Sequence, residues 1–318
     1  MVIGIAGCSN SVQPRRLVVV TSPLAQTVSL LGDTLYGLPR NAEGGPARAR
    51  HMAEARDAMA RDSSNAGTRI RFARSTAEMG YLREAVQLYT RIAQTRFDDP
   101  RVFRDRGELL FRLRQFDAAL RDLRKAGLLL IGRSAILEPG PIGYGPDDGS
   151  LEITTTQFQT FYFQGLTLYC KGNYEGAAPV LVEAVKLAQA TEDRVRALLW
   201  LFFSTRRIGD GSEGVRVLDL VQTEWVGITD TPELDLLLAY KGVVPTDTIR
   251  ARALGGSGEA SRLLSYGLAY ALLLRPDRRI EAQLWLERAH TGNWDSVAHL
   301  VAEAELARLQ GGGRIIIR

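Results

Sequence analysis

The sequence is poor in the residue types from which reactive centres are most often built. Among 318 residues there are two cysteines, Cys8 and Cys170, and three histidines. Two cysteines provide neither a disulfide framework nor a thiolate metal cluster. His290 and His299 stand nine residues apart on either side of an expected turn, so they share no helix face. We therefore expect no metal ion and no cofactor.

The common catalytic and nucleotide-binding motifs are also missing. The sequence contains no P-loop lysine motif, no G-x-S-x-G elbow and no H-E-x-x-H pair. The segment from Gly209 to Gly214 formally fits G-x-G-x-x-G, but it follows a predicted helix rather than a strand, which favours a plain turn. No apolar run reaches the length of a membrane-spanning helix. The sequence predicts no enzyme.

The composition is that of a folded protein with a mild positive charge. The chain is 45% hydrophobic and 24% charged, which is enough to bury a core. Its net charge of +4 is far below that of a nucleic-acid-binding tail. Lysine is confined to Lys125, Lys171, Lys186 and Lys241, so almost all of the positive charge is arginine.

Residues 1–45 form a predicted N-terminal segment of mixed character. Ile5-Ala6-Gly7-Cys8 resembles the lipobox of bacterial lipoproteins, which implies a lipidated Cys8 and a place in the bacterial cell envelope. The apolar run before Cys8 is shorter than a signal sequence, so an ordinary cysteine in a cytoplasmic protein is the alternative. Residues 29–36 predict two short strands around Gly32-Asp33, and residues 41–46 predict a linker.

Residues 46–310 carry a regular pattern of paired helices. The segment from Phe158 to Lys186 predicts two amphipathic helices separated by Gly172-Asn173. A small residue in the first helix and another 12 positions later allow the two helices to approach closely. The small-residue positions are Ala73 and Ala85, Gly107 and Ala119, and Gly165 and Ala177, with weaker pairs at residues 202 and 214 and at residues 270 and 282.

The spacing of the second-helix markers is 34 residues or close to a multiple of it, with one insertion of 24 residues. A pattern of this length resembles the tetratricopeptide repeat (TPR). The resemblance is strongest from Val102 to Ala126 and from Phe161 to Ala184, although Arg106 and Gln164 replace the usual leucine. It implies an all-α fold, a right-handed solenoid of helical hairpins after a short, partly extended N-terminal segment.

In that family the first helices line a concave groove that binds a protein or peptide. The corresponding positions here combine arginine with aromatic residues, which suits an acidic or carboxylate-ended peptide. The predicted binding residues are Arg74, Arg101, Arg104, Arg112, Tyr162, Tyr169, Phe203 and Arg206. The resemblance thus implies a non-enzymatic interaction scaffold with a protein or peptide partner rather than a nucleic acid. The alternatives are a helical-repeat RNA binder and an enzyme with its site in the insertion.

Three further segments complete the sequence interpretation. The insertion at residues 131–156 is rich in Gly and Pro and predicts a surface loop in which Tyr144 is a candidate contact. The helix from Ser296 to Leu309 alternates apolar residues with Glu303, Glu305 and Arg308, which predicts a solvated cap for the array. Residues 311–318 predict a flexible tail.

Overall fold

A computed structural model describes residues 24–37, 45–138, 154–209, 211–226 and 231–311. Several predicted features lie outside these ranges, namely Cys8, Tyr144 with most of the insertion, and the tail after residue 311. In the described ranges no helix combines the length and apolarity needed to cross a membrane.

The described residues form an all-α, TPR-like array with two small β-hairpins. The helices are α1 Gly45–Arg61, α2 Ala66–Glu78, α3 Leu82–Thr95, α4 Pro100–Arg112, α5 Phe116–Leu130, α6 Thr156–Cys170, α7 Tyr174–Leu187, α8 Thr191–Ile208, α9 Gly211–Asp219, α10 Pro232–Tyr240, α11 Thr246–Gly255, α12 Glu259–Leu273, α13 Arg279–Ala289 and α14 Val297–Gln310. The strands are β1 Ala25–Val28, β2 Thr34–Tyr36, β3 Leu137–Glu138 and β4 Thr154–Thr155.

The N-terminal hairpin turns at Gly32-Asp33, as the sequence predicts, but its first strand is Ala25–Val28, before the predicted residues 29–36. β1 and β2 pair antiparallel around a turn in which Gly32 adopts a φ of 99°. The hairpin contacts the helical array through the Thr27 hydroxyl, which donates a hydrogen bond of 2.7 Å to the Leu113 carbonyl. β3 and β4 pair antiparallel at the two ends of the insertion, a short sheet that the sequence did not predict.

The helices stack as hairpins in sequence order, as the spacing predicts. The second helices α3, α5, α7, α11 and α13 pack on the helix that follows them, and successive first helices from α2 to α12 also contact one another. The small residues explain the close approach within a hairpin. A Cβ atom at Gly165 would lie 2.6 Å from Leu181 Cγ, and one at Gly107 would lie 2.7 Å from Leu123 Cγ.

The turn within most hairpins contains one residue with positive φ. Gly80, Gly172, Gly209 and Gly242 adopt φ values between 76° and 93° at these turns. The turn between α4 and α5 instead uses Arg114, with a φ of 63°. A left-handed backbone conformation favours glycine, so an arginine at this point indicates that its side chain has a specific task.

α14 does not form the predicted solvated cap. Residues Ala298 to Leu306 are all buried, and the helix lies against α6, α12 and α13 on the side of the array formed by the first helices. Alanines at positions 298, 302 and 304 allow this close packing. Arg114 pairs with Glu303, and Arg207 and Arg308 pair with Glu305. The polar residues that suggested solvent exposure are internal ion pairs.

Candidate functional site

The predicted groove arginines of α2 and α4 meet a carboxylate from outside these helices. Arg74 Nε lies 2.8 Å from Asp105 Oδ2, and Arg74 Nη2 lies 3.0 Å from Glu138 Oε2. Arg104 Nη2 contacts the same Glu138 carboxylate and lies 3.0 Å from Asp105 Oδ1. We call this set, Arg74, Arg104, Asp105 and Glu138, the arginine site.

Glu138 reaches the arginine site because the ends of the insertion are fixed. It belongs to β3, whose pairing with β4 holds both strands beside the start of α6. The Thr156 hydroxyl donates a hydrogen bond to Glu138 Oε1. The Thr154 hydroxyl in turn donates one of 2.7 Å to Asp193 at the start of α8. The insertion therefore places an acidic side chain against two arginines of the repeat array.

Asp105 is the firmly ionised carboxylate of the arginine site. Burial alone would raise the pKa of Asp105, but the charges of Arg104 and Arg74 and a hydrogen bond from Arg74 lower it to about 2. The buried Tyr89 hydroxyl donates a further hydrogen bond of 2.6 Å to Asp105. Asp105 thus acts as the internal partner of the two guanidinium groups, and Glu138 is the partner supplied from outside the hairpins.

Two more predicted arginines border the same region. Arg101 Nη2 lies 2.8 Å from Asp99, the residue that caps α4. Arg112 Nη2 lies 2.8 Å from Glu108, and Arg112 also donates a hydrogen bond of 2.7 Å to the Asp295 carbonyl. Both side chains are partly exposed, at 39% for Arg101 and 25% for Arg112, so they form the accessible rim of the arginine site.

The predicted aromatic groove residues lie in the core instead. Tyr169 and Phe203 are fully buried, and Tyr162 is 7% exposed. The Tyr169 hydroxyl lies 2.6 Å from that of Tyr266, and the centroid of the Phe203 ring lies 4.1 Å from that of the Tyr270 ring. They are covered because α12 and α14 pack over α6 and α8, a long-range arrangement that no local pattern indicates.

Arg206, the last predicted residue, lies away from the arginine site. It is partly buried and borders a cavity of about 380 Å³ together with Phe202, Leu218 and Tyr240. A second cavity, of about 570 Å³, lies between α1, α2 and α3 and is lined by Met52, Phe72 and Leu88 among others. The sequence predicted neither cavity.

A buried ionic cluster connects α14 to the middle of the array. Glu305 Oε1 lies 2.8 Å from Arg207 Nη2 and 2.9 Å from Arg308 Nη2. Arg308 also donates a hydrogen bond of 2.9 Å to the Cys170 carbonyl at the end of α6. Burial alone would raise the pKa of Glu305, but these two guanidinium groups lower it. Cys170 is itself buried, and this burial raises the pKa of its thiol, so it is unreactive.

A second buried cluster contains the two histidines that the sequence placed on different helices. His290 follows α13 and His299 lies in the first turn of α14, and their ring centroids are 4.1 Å apart. Glu303 Oε2 lies 3.5 Å from His299 Nε2 and 3.9 Å from His290 Nε2. They share no helix face, as predicted, but the turn between the helices brings them together.

Arg114 pairs with the acid of this cluster. Its Nη2 lies 2.5 Å from Glu303 Oε2, and its Nε donates a hydrogen bond of 3.1 Å to Oε1. The Leu30 amide donates another, of 2.6 Å, to Oε1. Burial alone would raise the pKa of Glu303, but His299, Arg114 and Leu30 together lower it to about 2. The unusual backbone of Arg114 thus serves a contact between residues 189 positions apart.

Comparisons with known proteins leave the function open. No family model and no curated protein matches the sequence. Solved structures that are similar include the following three. MamA has 14% identity and a TM-score of 0.41, covering 55% of this chain and 89% of its own. YrrB, a TPR protein with an unusual peptide-binding site, has 15% identity and a TM-score of 0.43, covering 78% of this chain and 95% of its own. A tetratricopeptide repeat protein from Parabacteroides merdae has 17% identity and a TM-score of 0.46, covering 82% of this chain and 93% of its own.

Proposed function

We propose that this chain is a protein-interaction scaffold that binds an acidic segment of a partner protein at the arginine site. The observation that carries the proposal is the position of Glu138. A carboxylate from outside the helical hairpins contacts the guanidinium groups of two successive first helices. The site therefore already holds the kind of group that an acidic partner would offer.

Charge and accessibility favour this end of the array. Arg74 is 28% exposed, and Arg101 and Arg112 border the site, so a partner can approach Arg74 from solvent. Arg104 is 8% exposed and becomes accessible only when Glu138 is displaced. Guanidinium groups bind carboxylates through paired, charge-assisted hydrogen bonds. The middle of the array is closed to a partner because α14 covers α6. Arg74 and Arg104 therefore remain the best candidates among the predicted residues.

The proposal makes Glu138 an internal competitor. A partner carboxylate has to displace the Glu138 carboxylate before it can contact both arginines. Glu138→Gln removes the competing charge while keeping an oxygen that can accept the hydrogen bond of Thr156. We therefore expect this variant to bind an acidic peptide several-fold more tightly than the unmodified chain.

Fluorescence anisotropy with labelled octaglutamate tests the proposal on the full chain at low salt. A charged hydrogen bond contributes about 1.5–3 kcal/mol, so Arg74→Gln or Arg104→Gln should weaken binding about tenfold or more. Arg216→Gln is the matched control because Arg216 is an exposed arginine paired with Glu213 on α9. Equal loss in all three arginine variants, or none in any, would contradict the proposal. Tighter binding of oligouridylate than of octaglutamate would favour the RNA alternative instead.

We also propose that Cys8 anchors the chain in the bacterial cell envelope. The support is the sequence Ile5-Ala6-Gly7-Cys8 alone, since Cys8 lies outside the described residues. Mass spectrometry of the N-terminus from the native host tests it. An acylated Cys8 as the first residue is the expected result, and an unmodified thiol would contradict it.

A further inference from the structure

The histidine pair between α13 and α14 has the composition of a metal site. One ring nitrogen from each of His290 and His299 and one carboxylate oxygen of Glu303 all lie within 4.8 Å of one another. We propose that these three side chains bind a divalent transition-metal ion of the zinc and cobalt class. This inference is independent of the proposed function, because none of the three residues belongs to the arginine site.

The unpaired state of the imidazoles is the second observation that points to a ligand. His299 is only 5% exposed, yet its Nδ1 has no hydrogen-bond partner, and its Nε2 lies 3.5 Å from Glu303 Oε2, at the long limit of a hydrogen bond. His290 Nε2 is buried and unpaired as well. Leaving a buried polar group unsatisfied costs about 1–3 kcal/mol, so such groups in a native protein need an explanation. A metal ion would accept the lone pair of a nitrogen on each ring.

The donor set and its spacing suit this class of metal. Two imidazole nitrogens and one carboxylate oxygen are common zinc ligands, with bonds of about 2.0–2.2 Å. Such bonds at a tetrahedral ion place ligand atoms about 3.3 Å apart. Glu303 Oε2 lies 3.5 and 3.9 Å from the two Nε2 atoms, so small side-chain rotations close the site. The His290 side chain is 25% exposed, which gives solvent access to a fourth position.

The surroundings of Glu303 fix its orientation and set the affinity. Arg114 and the Leu30 amide hold the carboxylate, and outer partners of this kind position a ligating group. Arg114 also brings a positive charge close to the ion, which weakens cation binding. The negative charge of Asp33 in the β1–β2 turn acts on His290 and favours a positive charge there, so it strengthens cation binding.

Cobalt absorption spectroscopy tests the site on the full chain after metal removal with EDTA. All proteins carry Cys8→Ser, so that this thiol cannot ligate. We expect one equivalent of Co²⁺ to produce visible absorption bands that Zn²⁺ abolishes by displacement. His290→Gln should lose the bands, and the affinity should fall more than the roughly 10–100-fold typical of losing an outer partner. Circular dichroism verifies that this partly exposed position tolerates the substitution.

His51→Gln is the matched control because His51 is the remaining histidine and lies on α1. It should keep the cobalt bands. A thermal readout provides a second measurement, since a ligand that binds only the folded state raises Tm. Zn²⁺ should raise the Tm of the parent and of His51→Gln but not that of His290→Gln. Absence of cobalt bands in the parent, or equal bands in both histidine variants, would overturn the proposal.

Discussion

Arg114 adopts an unfavourable backbone conformation and makes an ion pair with a residue that is distant in sequence. Comparable turns of the array use glycine, whereas this one holds an arginine at a φ of 63°. The side chain pairs with Glu303, which is fully buried. The guanidinium carbon also lies 5.3 Å from the centroid of the Trp294 ring. We therefore expect the ion pair to outweigh the backbone cost.

Arg114→Gly separates these two effects. Glycine relieves the backbone by about 1 kcal/mol, but breaking a buried pair costs about 3–5 kcal/mol because one charge is left uncompensated. We expect a net loss of about 2–4 kcal/mol in the free energy of unfolding, measured with urea. Arg216→Gly on α9 is the control for removing an arginine from an exposed pair. A glycine variant at position 114 as stable as the parent would show that losing the ion pair costs no more than the relief of the backbone gains, and would contradict this account.

The lowered pKa of Asp105 predicts how the stability of the fold depends on pH. Its pKa of about 2 in the folded chain is lower than the ordinary 3.8, so the folded state favours the ionised form. The resulting contribution, about 2 kcal/mol, is complete above the ordinary pKa and disappears as the pH falls towards 2. The stability difference between the parent and Asp105→Asn should therefore shrink from pH 6 to pH 2. A difference that stays constant with pH would contradict this assignment.

The sequence predicted the arginines but not their partners. Arg74 and Arg104 follow from the repeat positions, because the family pattern places those residues beside the groove. Glu138 lies 64 positions after Arg74, and its place depends on how the insertion folds back. The histidine pair was missed for the same reason, since the turn between α13 and α14 determines whether the rings meet. Long-range pairs of this kind leave no local signal.

At the scale of elements, hairpin packing was predictable and the position of α14 was not. Gly107 and Gly165 mark close helix contacts because only a missing Cβ admits the facing leucine. The position of α14 could not be predicted in this way. Its charged residues suggest exposure to solvent unless the arginines that pair with them are known. Arg114 pairs with Glu303 and Arg207 pairs with Glu305, and these pairs allow both glutamates to be buried. Both arginines are distant from α14 in sequence.

Two leucine substitutions test the position of α14. Leu300 on α14 is fully buried, whereas Leu284 on α13 is 62% exposed. Leu300→Ala should lower the free energy of unfolding by about 2–5 kcal/mol, and Leu284→Ala by less than about 0.5 kcal/mol. Urea unfolding of the two variants checks this. Similar small losses at both positions would indicate that α14 is a solvated cap after all.

At the scale of the whole molecule, the two ends of the described array are joined. The turn before α14 contacts the turn after α4, since Arg114 donates a hydrogen bond of 2.9 Å to the Trp294 carbonyl. Trp294 Nε1 in turn donates one of 2.6 Å to the Tyr36 carbonyl on β2. A solenoid with only neighbour contacts can unfold repeat by repeat. These additional contacts couple distant hairpins.

We therefore expect a single cooperative unfolding transition. Tryptophan fluorescence reports mainly on the second half of the chain, and far-ultraviolet circular dichroism reports on all helices. Their urea midpoints should coincide. Leu300→Ala should lower both midpoints together. Separate midpoints for the two probes would show that the halves unfold independently and that the closing contacts contribute little.

The most direct test of the central claim is a crystal structure of Glu138→Gln with octaglutamate. The account predicts a peptide carboxylate in contact with both Arg74 and Arg104, close to the position that the Glu138 carboxylate occupies in the unmodified chain. A peptide bound elsewhere on the array, or arginines that still contact only Asp105 while peptide is present, would contradict it.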